Sequence, residues 1–445
     1  MRKFIQELDR KGQLKKVDRV NPRDISSFLS QAKSPILMQH VEGYENFRIF
    51  GGVFTTRDMT AQVLNCDPRR MAQAFNEIMK QRWAPTIQET GPVKEQIFLG
   101  DDADLTRLPI PLMHCGDGGP YITGGVVIAN DPDYGTNLGM YRLMYRKKNE
   151  TGIDLVYASD LRFYYERALE QGKPLKISVA IGVHPALMMA STYKAPLGVS
   201  EYDIAGGLLG EPVPVVKSEL SDIMVPAEAE IVLEGEILPI GWTEQEGPFG
   251  EFAGYQGESK WNPIVRFQAI TMRRDPIYYA LAMPWENDYL LAASTEAACL
   301  NAINHAGVKA CEVRSTIGGA CFWHIIASID KRAGEGRNAL MAMLTIGGVK
   351  FAVVTDSDVD IFDSDQVDRA MVFRTRPDKD IIIVNGARAN HVDPSVAAWL
   401  LPKGALPVTG KIGIDATRPE NVPKERYQLI RPYRENIVNL EGNES

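Results

Sequence analysis

The chain has 445 residues, 44% of them hydrophobic, which is material for two or three cores at roughly 100–200 residues per domain. Its formal charge of −8 is spread along the sequence, and no basic tract exceeds Arg146-Lys147-Lys148, so a nucleic-acid footprint is excluded. No run approaches the roughly 18 consecutive apolar residues of a membrane span, and the first residues lack the apolar run of a signal peptide. Five scattered cysteines (Cys66, Cys115, Cys299, Cys311, Cys321) form no Cys-x-x-Cys pair and read as reduced thiols of a cytoplasmic protein.

In chain order, Met1-Arg-Lys-Phe-Ile-Gln-Glu-Leu-Asp9 reads as an amphipathic helix. A strand is expected over 47–50 and a helix over 67–81. Leu108-Pro-Ile-Pro-Leu-Met113 then suggests a boundary. Strand signals dominate next, over 121–128, 138–145, 175–181, 229–238 and 264–272, with helices over 161–171 and 200–209; such spacing favours a barrel or sandwich. The last region returns to α/β, with helices over 294–306 and 335–344 and strands over 350–355 and 381–384. The resulting division is 1–112, 113–290 and 291–445.

The sharpest local signal is Glu244-Gln-Glu-Gly-Pro-Phe-Gly-Glu-Phe-Ala-Gly-Tyr255. On a straight strand Glu246 and Glu251 would point to opposite faces. The intervening Gly-Pro-Phe-Gly turn lets both carboxylates converge, and two acids sharing a site form a proton donor beside an ionised partner. Two solvent-exposed glutamates on a hairpin are the plainer reading. In Asn137-Leu-Gly-Met-Tyr-Arg-Leu-Met-Tyr-Arg146, alternation puts Met140, Arg142 and Met144 on one face and Tyr141, Leu143 and Tyr145 on the other. An arginine on an apolar face needs an anion, and Glu246 is a suitable one; an edge-strand arginine reaching water is the alternative. The segment 188–201 is loop-like, offering hard oxygen donors or simply a connection in which Ser200 caps the next helix. His114, His184, His305, His324 and His391 lack metal-ligand spacing and read as core, cap or surface residues. The glycines at 116–119 and 347–348 match no phosphate-binding pattern, and Asp356-Ser-Asp-Val-Asp360 lacks the Gly and Glu of a calcium loop.

Taken together, the motifs resemble the UbiD family of prenyl-flavin-dependent reversible decarboxylases. They are Tyr121-Ile-Thr-Gly-Gly-Val-Val-Ile128, 137–142, Val179-Ala-Ile-Gly-Val-His-Pro-Ala186, Ile231-Val-Leu-Glu-Gly235, Glu246-Gly-Pro-Phe-Gly-Glu251 with Gly254-Tyr255, and Arg374-Thr-Arg-Pro-Asp-Lys-Asp380. The resemblance implies an α/β (α+β) fold, with a central split β-barrel flavin-binding domain flanked by N- and C-terminal α/β regions, the last assisting oligomerisation. It places Arg142, Glu246 and Glu251 on the family's catalytic Arg-Glu-Glu positions, with Glu251 as proton donor and an Arg142–Glu246 ion pair tuning it.

The same resemblance implies prenylated FMN as cofactor, supplied by a flavin prenyltransferase, with a divalent cation (Mn or Mg) and a monovalent one (K or Na). Asn137 and Glu201 fall on divalent-ligand positions, and Asp160 stands where the family usually has histidine. Met140, Tyr141, Arg142, Ser159, Ser191, Tyr193 and Lys194 fall on flavin contacts, the backbone at 190–193 matching the loop of the monovalent ion. Met283, Tyr289 and Ala292 are the expected substrate-pocket residues. The expected reaction is nonoxidative decarboxylation, or its reverse, of an aromatic, heteroaromatic or α,β-unsaturated acid by a homo-oligomer (dimer or hexamer). A noncatalytic subunit of a multicomponent carboxylase, favoured by Asp160, is one rival; a plain flavin reductase is another.

Overall fold

The computed structural model describes residues 1–157, 159–195, 198–401 and 406–430. Pro196 and Leu197 of the 188–201 segment, Ala158, and the end of the third region at 431–445 lie outside the described residues.

Among the described residues, nine strands make the central antiparallel sheet. Its order is Tyr121–Ile122, Leu143–Lys147, Glu150–Gly152, Ile264–Met272, Ile231–Ile237, Leu175–Ile181, Gly125–Asp131 and Gly135–Met140, with Gln96–Leu99 also pairing Ile264–Met272. Alternate residues sort into two cores, as a two-residue side-chain period demands. Val126, Ile128, Ala180 and Val232 enter one core; Val127, Ala129, Val179, Ile231 and Leu233 enter the other. With both faces covered, these strands read as continuous apolar runs.

The connections force this sheet to curl. Tyr121–Ile122 and Gly125–Asp131 stand near opposite ends of the order, yet only Thr123 and Gly124 join them. Likewise Gly135–Met140 and Leu143–Lys147, at opposite ends, are joined by Tyr141 and Arg142 alone. A two-residue link spans at most about 10 Å between the residues it joins, so the two ends must approach and leave a curled half-barrel split at a seam. Arg142 sits on that seam. The single strand expected over 138–145 is therefore two strands, and the expected alternation of faces does not survive the break.

Strands also cross the expected region boundaries. A four-stranded sheet of Lys15–Val20, Ile36–Val41 and Arg48–Gly51 takes its last strand, Ile277–Tyr279, from the middle of the chain. Thr86–Ile87 pairs with Pro214–Lys217. The final region is a five-stranded sheet in the order Ala310–Ser315, His324–Ile329, Phe351–Asp356, Val408–Ala416 and Ile381–Arg388. Asn287–His305 and Glu335–Leu344 pack on one face through Cys299, Ile303, Leu340 and Met343, and Ser364–Arg374 packs on the other through Val367 and Ala370. The expected 67–81 helix is a short 3₁₀ turn, Pro68–Arg70, capped by Asp67, followed by Met71–Ile78. The 188–201 segment begins inside a helix, Pro185–Ala190, where a loop was expected. Among the described residues, no helix is long and apolar enough to cross a membrane.

Candidate active site

Glu246 ends a short strand, Glu244–Glu246, whose antiparallel partner Lys260–Asn262 sets Lys260 opposite Glu246. Between them the chain folds back twice. A bridge joins Gly250 to Gln256, and Glu251 N–H donates to the Tyr255 carbonyl at 2.9 Å. Glu251 is thereby turned inward beside Glu246. Both side chains are buried, at 0% and 8% exposure, so the hairpin reading with two hydrated glutamates is set aside.

Arg142 joins them. Its Nε and Nη2 donate to the two oxygens of Glu246 at 3.0 Å each, and its Nη1 donates to Glu251 Oε1 at 2.6 Å. A planar fork of donors suits such two-point binding. The guanidinium also lies 4.7 Å from the Phe249 ring centre and 3.3 Å from Asp154 Oδ2. Burial opposes its charge, but Asp154, Glu251 and Glu246 outweigh burial and hold its pKa well above the usual range. Asp154 is itself held low despite burial, by Arg142 and Lys260. Lys260 Nζ donates to Asp154 at 2.7 Å and to His391 Nε2 at 3.1 Å. Burial and the Lys260 charge depress the His391 imidazole to about 4, so this ring is a neutral acceptor.

Arg142 and Glu251 face a cavity of about 1280 Å³. Met140, Tyr141, Ser159, Ser191, Tyr193 and Lys194 line it too, as does Met283. Its volume exceeds the roughly 300–1,000 Å³ of a single-ligand pocket, leaving room for a large cofactor and a flat substrate together. The helix Asn287–His305 presents Asn287, Leu291, Ser294, Thr295 and Ala298 to the cavity, one face at helical spacing. Tyr289 and Ala292 are not among the described lining residues. Both pack into the first core.

Two residues before the lining Gly139, Asn137 meets Glu201, which accepts from the Leu138 N–H at 2.8 Å and from the Asn137 amide at 3.4 Å. Burial raises its carboxyl to about 7, and Asp160 adds to that shift. Asn137 Oδ1 is buried without a hydrogen-bond partner among the described residues. Ser200 caps Glu201–Leu209, as expected, and Ser159 caps the Asp160–Glu170 helix. No three His, Cys, Asp or Glu side chains cluster as metal ligands among the described residues. The donor set here is instead two carboxylates and an orphaned amide oxygen, all hard ligands of the kind Mg or Mn prefers.

Asp154, Lys260 and His391 were not expected from the sequence. Lys260 owes its place to the ladder opposite Glu246, and His391 arrives from a loop over a hundred positions away. Neither carries a local motif.

Comparison with known proteins follows the same outline. Residues 85–285 match the 3-octaprenyl-4-hydroxybenzoate carboxy-lyase Rift-related domain, UbiD, and residues 288–416 match the corresponding C-terminal domain. The anhydromevalonate phosphate decarboxylase of Methanothermobacter thermautotrophicus is 33% identical, over 86% of this chain and 88% of that protein. The phenolic acid decarboxylase of Bacillus subtilis is 31% identical, over 97% and 94%. The solved structure of the UbiD-class enzyme HmfF from Pelotomaculum thermopropionicum, in complex with FMN, superimposes with a TM-score of 0.89 at 36% identity, covering 97% of each chain.

Proposed function

Because the chain belongs to the UbiD family of carboxy-lyases, we propose that it catalyses reversible nonoxidative decarboxylation of an aromatic, heteroaromatic or α,β-unsaturated acid with prenylated FMN. An evolved dimeric form of HmfF from P. thermopropionicum has been solved with prenylated FMN, which supports that cofactor. The observation that carries the reading is the pairing of Arg142 with both Glu246 and Glu251 at the cavity wall.

Met140, Tyr141, Ser159, Ser191, Tyr193 and Lys194 would hold the flavin. Asn137, Asp160 and Glu201 would hold its phosphate through Mn or Mg, with K or Na alongside at 190–193. The hard oxygen donors and the unpaired Asn137 oxygen fit that role. The chemistry supplied by the bound prenylated flavin is that of an electron sink.

The protein's own residues handle the acid and the proton. Arg142 orients the substrate carboxylate while remaining neutralised by Glu246. As the carbon–carboxylate bond breaks and carbon dioxide leaves, Glu251 delivers a proton to the carbon that bore it; solvent returns a proton to Glu251. In the carboxylating direction Glu251 removes that proton. The uncharged helix wall of Asn287, Leu291, Ser294 and Thr295 suits an acid whose remaining surface is neutral and flat. Holoenzyme made with a flavin prenyltransferase tests the reading. Glu251→Gln is expected to lower carbon dioxide release about 10²–10⁴-fold, and a variant that works at the wild-type rate refutes the role of Glu251.

A further inference from the structure

His114 lies outside the Arg142 cluster, in the loop before Tyr121–Ile122, and its side chain is 12% exposed. Its Nδ1 stands 2.9 Å from Asp117 Oδ2, and its Nε2 stands 2.7 Å from the Met283 carbonyl oxygen. An ionised carboxylate and a backbone carbonyl only accept hydrogen bonds. Both ring nitrogens must therefore donate, which only the imidazolium does.

The Asp117 carboxylate, its side chain fully buried, does more than balance this charge. Its Oδ1 accepts from the Gly250 N–H at 2.8 Å, one residue before Glu251. Gly118 N–H adds a second link to the same turn, donating to the Pro248 carbonyl at 2.8 Å. The His114 ring lies edge-on to Phe249, whose own ring lies against Arg142. A side chain at Gly250 would collide with the imidazole, so the turn is seated directly on it. One buried pair thus ties the Glu251 turn to Met283, which lines the cavity.

We propose that His114 and Asp117 form a positioning pair that holds Glu251 in register with the cavity wall, and that it does so only while the imidazole carries both protons. The proposal rests on the decarboxylase reading above for what the turn does, but not for the state of the ring. Burial works against the charge; the bond to Asp117, the Met283 carbonyl and the nearby Asp117 and Glu251 carboxylates outweigh it, and the His114 pKa is raised. Phe249 from the turn and Trp285 from the segment after Met283 contribute rings and no charge. A raised imidazole pKa means the two-donor ring is complete below the ordinary histidine range and is lost as pH rises through the raised value. Neutral imidazole can donate from one nitrogen only, so either Met283 or Asp117 is then released.

Histidine-selective ¹⁵N labelling of the holoenzyme tests the ring directly, the His114 signals being those missing from His114→Gln. The His114 ring is expected to keep both protons to a higher pH than free histidine does; a ring that loses one at or below the free-histidine midpoint overturns the proposal. On an acid that the wild type turns over, His114→Gln and Asp117→Asn are expected to lower kcat about 10²-fold, the scale of a misplaced catalytic group. His114→Gln should also remove an alkaline fall in kcat that follows the ring titration seen by NMR. Folded variants with wild-type kcat and an unchanged pH profile overturn it as well. If the wild type turns over none of a panel of aromatic and enoic acids, the decarboxylase reading fails, and the NMR titration still decides the state of the pair.

Discussion

Arg142 spends one positive charge on three carboxylates, and Lys260 supplies the second charge that the buried cluster needs. An ammonium is a point charge and cannot span Glu246 and Glu251 as a planar fork does. Arg142→Lys is therefore expected to fold and yet lose about 10²-fold or more in kcat, read from single-turnover carbon dioxide release. His391 carries a pH effect on stability. Its folded pKa, about 4, lies below the ordinary 6.5. The unfolded chain therefore binds more protons, and the stability this residue contributes is complete above about 6.5 and lost as pH falls toward 4. Urea midpoints should drop across that window, and His391→Gln should flatten the drop.

At the scale of elements, two short connections matter most. Thr123-Gly124 and Tyr141-Arg142 each join strands from opposite ends of one sheet, so the seam and the Arg142 position follow from the same constraint. A Cβ at Gly124 would lie against the Tyr279 carbonyl at 2.5 Å, leaving no room for a side chain there. The Asn287–His305 helix supplies the other wall, and its phase decides which residues the substrate meets. Leu291→Trp is expected to fill the cavity and cut kcat/KM for two-ring acids at least about tenfold more than for one-ring acids. An equal loss for both would mean that Leu291 lies away from the substrate.

At the scale of the whole molecule, three parts of the chain meet through a buried ion pair. Arg57 donates with both terminal nitrogens to Glu296, at 2.6 and 2.7 Å, and Glu296 accepts from the Ser315 N–H and hydroxyl at 2.8 and 2.7 Å. The N-terminal region, the wall helix and the last sheet are pinned at one point. Arg57→Met leaves a fully buried carboxylate without its cation and is expected to cost about 3–5 kcal/mol in urea unfolding. Glu296→Gln in the same background should recover part of that loss, because the uncompensated charge goes with it. The active site is assembled in the same way, since His391 comes from the last region to meet Lys260 and Asp154 of the barrel.

Local chemistry let the sequence specify much of this. Continuous apolar runs marked strands buried on both faces, Gly125–Asp131 among them, and Gly-Pro-Phe-Gly marked the turn that turns Glu251 inward. Ordered motifs carried the family, and with it the pairing of Arg142 with Glu246. Tertiary structure decided what depends on distant partners. The break at Tyr141-Arg142 comes from sheet curvature, which no local period records. Which residues of the Asn287–His305 helix line the cavity is set by the rotation of that helix against its neighbours. Asp154 and His391 are shifted by Lys260, far away in sequence, because burial and Coulomb interactions act through space and not along the chain.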